Sequence, residues 1–189
     1  MCPCLFFRRE KLKGLKLYEI NPLYIKYLAQ YQKHIFWSDG NKATRKYIGI
    51  VLQIDGMNYF APLSSFKPKH TKMKESVDFI KIRNIAVINV NNMVPVPNEE
   101  YHLVDINGIK DQHYRYLLQA ENREINRLRD RIIKSARVVY NHKIQNGMST
   151  ALARRTNDFK QLEKSAKNIN VPVSVKPDNR DIFYLTHII

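Results

Sequence analysis

The sequence predicts an α+β fold: a strongly bent antiparallel sheet packed by one long helix and several shorter ones. Three observations predict it. Runs of β-branched and aromatic residues recur between turn signals through the first two thirds of the chain. Two of those runs are joined by Asp55-Gly56, a strong two-residue hairpin signal. After Asp111 the apolar residues change to a spacing of three or four, the period of a helix. Strands that precede helices, instead of alternating with them, segregate into the α+β class. The 189 residues suffice for one domain with its own core. The expected organisation is an N-terminal extension over 1–14, a single domain over 15–170 and a C-terminal tail over 171–189.

Each element has a local reason. LKLYEI after Gly14 reads as a short strand. Asn21 followed by Pro22 reads as an N-cap with proline at the first helical position, and Tyr24, Tyr27, Leu28 and Tyr31 then fall at helical spacing. Ser38 to Thr44 is a loop. KYIGIVLQI (46–54) and MNYFAPL (57–63) form the hairpin about Asp55-Gly56, and VDFIKI, NIAVINV and YHLVDI are further strands. The prolines of VPVP mark an edge or a break between them. From Asp111 to about Gln145, Tyr114, Leu117, Leu118, Ile125, Leu128, Ile132 and Val139 line one face of a single long helix. Asn146-Gly147 stops it, and Ser149 caps a second helix with Leu152, Phe159 and Leu162 inside. The closing VPVSVKPDNRDIFYLTHII reads as an extended tail.

Lys and Arg number 32 against 17 Asp and Glu, a formal charge of +15, which points to a polyanionic partner. No apolar run approaches the roughly 18 residues of a spanning helix. The first residues, MCPCLFFRREKLKG, place their cations after the apolar run, the reverse of a signal peptide, so a cytoplasmic protein is expected. Cys2 and Cys4 cannot build a disulfide framework or a four-ligand zinc site and read as free thiols.

The acids offer no converging metal set. Asp55 belongs to a turn, Asp78 and Asp105 to strands, and Glu121, Glu124 and Asp130 to an arginine-crowded helix where ion pairing is their ordinary role. The phosphate-cradling loops G-x-x-x-x-G-K-[ST] and G-x-G-x-x-G are absent, as is G-x-S-x-G, and the histidines at 34, 70, 102, 113, 142 and 187 are scattered. No metal or other cofactor is implied.

What stands out is YFAPLSSFKPKH (59–70), where two hydroxyls, Ser64 and Ser65, precede Lys67, Lys69 and His70. RNA can be cleaved without metal when its 2′-hydroxyl is aligned on the adjacent phosphate, the charge of the phosphorane is dispersed and the departing 5′-oxygen is assisted. Hydroxyls and an ammonium can perform the first two tasks. The same composition suits a solvated basic turn. Lys42, Arg45 and Lys46 carry the same two readings, a phosphate clamp or a loop kept soluble by charge, and so does the arginine face of the long helix, which includes Arg115. Tyr18, Tyr24, Tyr47, Tyr59, Phe60 and Phe66 lie among the basic segments, either as core or as stacking platforms for single-stranded bases.

KLYEINPLYIKYL, RKYIGIVLQIDGMNYFAPLSSFKPKH and YRYLLQAENREINRLRDRI together resemble the ToxN/AbiQ family of type III toxin-antitoxin systems, over about residues 15 to 168. The distinctive part is the order of basic residue, I-G-I-V strand, turn, Y-x-x-P-L strand, [ST]-S-x-K and trailing K-H. The resemblance implies a MazF/Kid-like core and a metal-independent endoribonuclease that leaves 2′,3′-cyclic phosphate and 5′-hydroxyl ends. It further implies an RNA antitoxin, a pseudoknot repeat cut by the toxin from a longer transcript, and closed protein–RNA complexes with several toxin copies. Cellular and phage RNAs are the implied substrates, in abortive infection.

Carried over by motif, Ser65 and Lys67 are the catalytic pair, and Ser64 and Lys46 orient or neutralise the phosphate. Tyr18, Arg45, Phe60, Lys69, His70 and Arg115 are expected RNA contacts. The rival functions are a non-catalytic RNA-binding protein using the same basic groove, and a protein-interaction domain with a merely soluble basic surface.

Overall fold

The computed structural model describes residues 14–35 and 45–169. Expectations about Cys2 and Cys4, the loop over 38–44 and the tail after 170 lie outside these residues.

The sheet is organised by its longest hairpin. Strands β2 (Lys46–Ile54) and β3 (Met57–Ser65) pair through Ile54↔Met57 and Gln53↔Asn58. The turn between them puts Asp55 at φ 48° and Gly56 at φ 77°, the positive pair that a two-residue hairpin of matching twist demands. Strand β1 (Lys16–Ile20) adds to β2 and carries β7 (Tyr101–Leu103) on its other edge.

The far edge of β3 changes partner. Its first part pairs with β6 (Val94–Val96) at Asn58, Tyr59 and Phe60, and its last part with β5 (Ala86–Asn89) at Leu63, Ser64 and Ser65. Pro62, which has no N–H to donate, lies in the interval where one partner gives way to the next. Beyond β5, β4 (Phe79–Ile82) completes the order β4-β5-β3-β2-β1-β7. The VPVP prolines therefore sit in and beside a real strand, with Pro95 opposite Tyr59 on β6, which pairs with β3 alone.

Strand alternation feeds two cores. One side of the sheet contributes Leu17, Ile48, Tyr59, Ala61, Leu63 and Ile88 to a core closed by the helices that follow Asp111. The other contributes Ile20, Tyr47, Phe60 and Val94, packed by Tyr24 and Leu28 of α1 (Pro22–Ala29) and by Leu162. Helix α1 starts as its sequence predicts, with Asn21 accepting from the Leu23 N–H at 3.0 Å, and is shorter than its apolar pattern suggests.

Two helix expectations are corrected. The long helix is divided into α3 (Gln112–Arg127) and α4 (Arg129–Asn146) at Leu128, whose φ −98°, ψ 8° leaves helical space while its N–H still reaches the Glu124 and Ile125 carbonyls. Leu118 and Ile125 on one side of the break, and Ile132, Ala136, Val139 and Tyr140 on the other, all reach the same core. Gly147 ends α4 at φ 53°, as expected of a C-terminal glycine. The second helix is also two, α5 (Ala151–Arg155) and α6 (Phe159–Lys167), capped by Thr150 and Asp158 instead of Ser149. The basic turn holds a one-turn helix, α2 (Pro68–Lys72). Among the described residues no helix is long and apolar enough to cross a membrane.

Candidate functional site

The end of β3 sorts the basic turn onto two sides. Ser64 and Ser65 pair with Val87 and Ala86, so their side chains alternate across the sheet. Phe66 prolongs the ladder by donating its N–H to the Ile85 carbonyl at 3.0 Å, and Lys67 remains extended at φ −123°, ψ 157°. Alternation thus returns Lys67 to the side of Ser65 and sends Ser64 and Phe66 to the other. Ser65 and Lys67 are both exposed, whereas Ser64 is half-buried.

Lys46 joins the Ser65 side. Ile48↔Ala61 and Tyr47↔Pro62 set the β2–β3 register, which, continued one residue, puts Lys46 opposite Leu63 and diagonal to Ser65. Diagonal neighbours on one face lie about 7–8 Å apart. The Lys46 ammonium is paired with Oε1 of Glu19, its cross-strand partner on β1, and lies 5.9 Å from the centre of the Tyr114 ring of α3. Glu19 also receives His102 of β7, Nε2 to Oε2 at 2.9 Å. Burial pushes the Glu19 carboxyl up, but hydrogen bonds and charge from Lys46 and His102 outweigh it and hold it below its ordinary value. Glu19 and His102 were not singled out from the sequence; the period of LKLYEI places Glu19 with Leu17 on one side, yet only strand pairing reveals its partners.

Other expected contacts are redistributed. Phe60 has no exposed surface: its ring is enclosed by Tyr18 at 5.2 Å and Tyr101 at 4.5 Å, and a side chain on Gly49 would collide with it, so it is core and cannot stack a base. Tyr18 is half-buried on the same cluster, its ring edge-on to Phe60 and Tyr101. His70 is also corrected. Its ring is buried edge-on between Phe66 and Phe79, and Nδ1 accepts the Lys67 N–H at 3.0 Å, which leaves the neutral ring's proton on Nε2. Burial and the charges of Lys69, Lys67 and Lys81 push its pKa down, so the ring stays neutral and braces the turn from within.

Lys69 is exposed on α2, and Arg45 is half-buried immediately before β2. Arg115 is tied down, its Nη1 donating to the Ile109 carbonyl at 2.9 Å, and holds the loop before α3. A groove of about 570 Å³ opens between β1, the segment after β7 and α3, lined by Lys16, Leu103, Asn107, Gln119, Asn122 and Arg123. No three His, Cys, Asp or Glu side chains among the described residues are grouped to hold a metal ion.

Comparison with known proteins identifies the lineage of this arrangement. The family described as "Toxin ToxN, type III toxin-antitoxin system" matches residues 16–167. Endoribonuclease AbiQ of Lactococcus lactis subsp. lactis is 28% identical over 174 residues, covering 85% of this chain and 93% of AbiQ. Endoribonuclease ToxN of Bacillus thuringiensis subsp. kurstaki is 30% identical over 129 residues, 66% of either chain. A solved structure from a bacterial antiviral system regulated by a processed non-coding RNA superposes with a TM-score of 0.73 at 27% identity, covering 82% of this chain and 99% of that one.

Proposed function

Because the chain belongs to the ToxN toxin family of type III toxin-antitoxin systems, we propose that it is an endoribonuclease that cuts single-stranded RNA at the end of β3. The observation that carries this is the exposure of Ser65 and Lys67 on one side of the sheet, diagonal to Lys46, in a chain of charge +15.

The chemistry follows from what these groups can hold. A phosphate seated between the two lysines has its non-bridging oxygens facing ammonium groups, and the Ser65 hydroxyl fixes its rotation. The 2′-oxygen forms a bond to phosphorus as the bond to the 5′-oxygen breaks, and the proton leaving the 2′-hydroxyl is balanced by one delivered to the 5′-oxygen. The products are a 2′,3′-cyclic phosphate and a 5′-hydroxyl, and no metal enters the scheme. Charge grows on the phosphorane, so Lys67 at the strand end stabilises the transition state more than the substrate. His70 is not the base, since one ring nitrogen accepts the Lys67 N–H and the ring is buried.

The same surface accounts for control by RNA. We infer an antitoxin made of pseudoknot repeats, processed by the toxin and held along the basic surface in closed assemblies of several copies. Cellular and phage transcripts are cut when it is lost, and the protein acts in the cytoplasm.

The test is incubation with single-stranded RNA in excess chelator, alongside Ser65→Ala and Lys67→Ala, with the new ends identified chemically. Cyclic phosphate from the parent, formed at least about 100-fold more slowly by either variant, is expected. RNA bound but left intact by all three, after removal of any co-purified RNA, would replace the enzyme with a binding protein.

A further inference from the structure

A half-buried carboxylate beside a phosphate site is a liability in a protein that binds a polyanion, because it repels the ligand and cancels a cation that could attract it. Glu19 is such a carboxylate, and it is held on both sides. Its Oε1 meets the Lys46 ammonium from β2, its Oε2 meets His102 Nε2 from β7, and the three residues form one row across the β7, β1 and β2 strands. The Lys46 side chain is only 12% exposed, and the Tyr114 ring stands over it from α3. A lysine carries three donors on a flexible stem, so a site that uses its charge must first remove its freedom.

We propose that Glu19, clamped from the outer strand by His102, is the positioning residue for Lys46. It anchors one ammonium donor so that the remaining donors point along the Ser65 side of the sheet toward the phosphate. Glu19 touches neither RNA nor the reacting atoms; it acts through Lys46. His102 fixes the carboxylate's second oxygen, so Glu19 cannot swing with the lysine into the site. This inference rests on the endoribonuclease reading above and adds a residue to it.

The two are separated by measuring kcat and KM for RNA cleavage in the parent, Lys46→Ala, Glu19→Gln, Glu19→Asp and the Glu19→Gln/Lys46→Ala pair, with melting temperature as the check on folding. Glu19→Gln keeps an oxygen acceptor and loses the charge. Its kcat is expected to fall about 10- to 100-fold, the cost of a charge displaced from working geometry. Its KM is expected to stay level or fall, since removing an anion does not weaken polyanion binding. Glu19→Asp restores most of the rate. In the Lys46→Ala background Glu19→Gln has no further effect, because residues acting as a unit are non-additive.

A parent that does not cleave removes the endoribonuclease reading itself. A cleaving parent whose Glu19→Gln variant has an unchanged or higher kcat, or a Lys46→Ala variant of full activity, overturns the positioning role alone. Should Glu19→Gln melt below the assay temperature, His102→Leu at its exposed position gives the weaker form of the test. Loss of one hydrogen bond to the carboxylate is expected to lower kcat about 5-fold, and an unchanged kcat overturns the proposal.

Discussion

Tyr59 and Ser65 stand on the same strand and the same side of the sheet, and each presents a hydroxyl. The Tyr59 hydroxyl is buried and donates to Glu163 Oε1 at 2.7 Å; Tyr140 donates to the same oxygen at 2.7 Å, and Lys160 reaches Oε2 at 2.9 Å. Rings of Tyr140 and Phe159 close around it at 5.8 Å. Ser65 is exposed at the strand end, beside exposed Lys67. One end of β3 uses its polar groups against one another and gains rigidity. The other leaves them open to solvent, where a phosphate can collect them. The comparison teaches that a strand can carry a site at its tip because it is anchored further back, where α4, α6 and β3 meet at one carboxylate.

The comparison breaks most visibly if the anchored end is dismantled. Glu163→Ala leaves two buried phenol hydroxyls without an acceptor, which costs about 3 kcal/mol together with the lost ion pair. In a chain of this size that lowers the melting temperature by about 10 °C. Cleavage per folded molecule is expected to stay within a few-fold of the parent, measured below the transition. A large fall in kcat with intact stability would show that the two ends of β3 are not separable.

Next in size is the open end, and here the two serines should differ. Ser65→Ala is expected to lower kcat about 100-fold, the loss of one preorganised donor, with no change in melting temperature. Ser64, half-buried on the opposite side, is expected to cost less than about 10-fold, because it contributes no oxygen to the Ser65 side. Equal losses would mean that the strand end twists enough for both hydroxyls to reach one phosphate.

A second buried glutamate sharpens the role of partners. Glu163 has three and its carboxyl stays below the ordinary value, because these hydrogen bonds and the Lys160 charge outweigh the upward push of burial. Glu121 on α3 is 5% exposed, and burial pushes it up to about 7. A carboxyl whose folded pKa is raised holds its proton more tightly in the native state. Its contribution is therefore fully present below the unfolded value near 4.5 and is lost as pH rises to about 7, where the penalty levels off. Glu121→Gln is expected to stabilise the protein by about 2 kcal/mol at pH 8 and to flatten that part of the stability profile. Chemical denaturation at pH 5 and pH 8 checks it, and equal stabilisation at both would discount titration as the cause.

The sequence displayed these features unevenly, for physical reasons. Asp55-Gly56 announced its hairpin because few residues tolerate two consecutive positive φ angles, and Asn21 announced a helix start because capping is a local bond. Ser65 and Lys67 were paired by the resemblance of their motif; the alternation that puts them on one side of the sheet needed β3 to run on to Ser65, past the apolar pattern that marked it. The break at Leu128 was not legible, since no proline or glycine marks it and the apolar spacing runs through it unchanged, from Leu118 and Ile125 to Ile132 and Val139. Tyr18 and Phe60 share an aromatic pattern, but only tertiary packing decides which is enclosed. His70 looked like a site residue until Phe66 and Phe79 were seen around it. The row His102–Glu19–Lys46 depends on the register of three strands far apart in sequence, which no local pattern encodes.

The smallest expected effect separates two exposed lysines. Lys160 is 53% exposed but engaged by Glu163, and Lys69 lies exposed on α2 beyond the open end of β3. Affinity for single-stranded RNA falls with salt according to the number of phosphates neutralised, so deleting one lysine that meets a phosphate reduces the slope of log affinity against log salt by about 0.7. Lys69→Ala is expected to show that reduction while its melting temperature stays put. Lys160→Ala is expected to show the opposite pattern, a lower melting temperature with the slope intact, since its ammonium is already spoken for by a carboxylate. Fluorescence anisotropy with a non-cleavable RNA carrying a 2′-deoxy substitution at the cut site, from 50 to 300 mM salt, would read both. A reduced slope for Lys160→Ala would put RNA on the α6 surface and move the interface well beyond the end of β3.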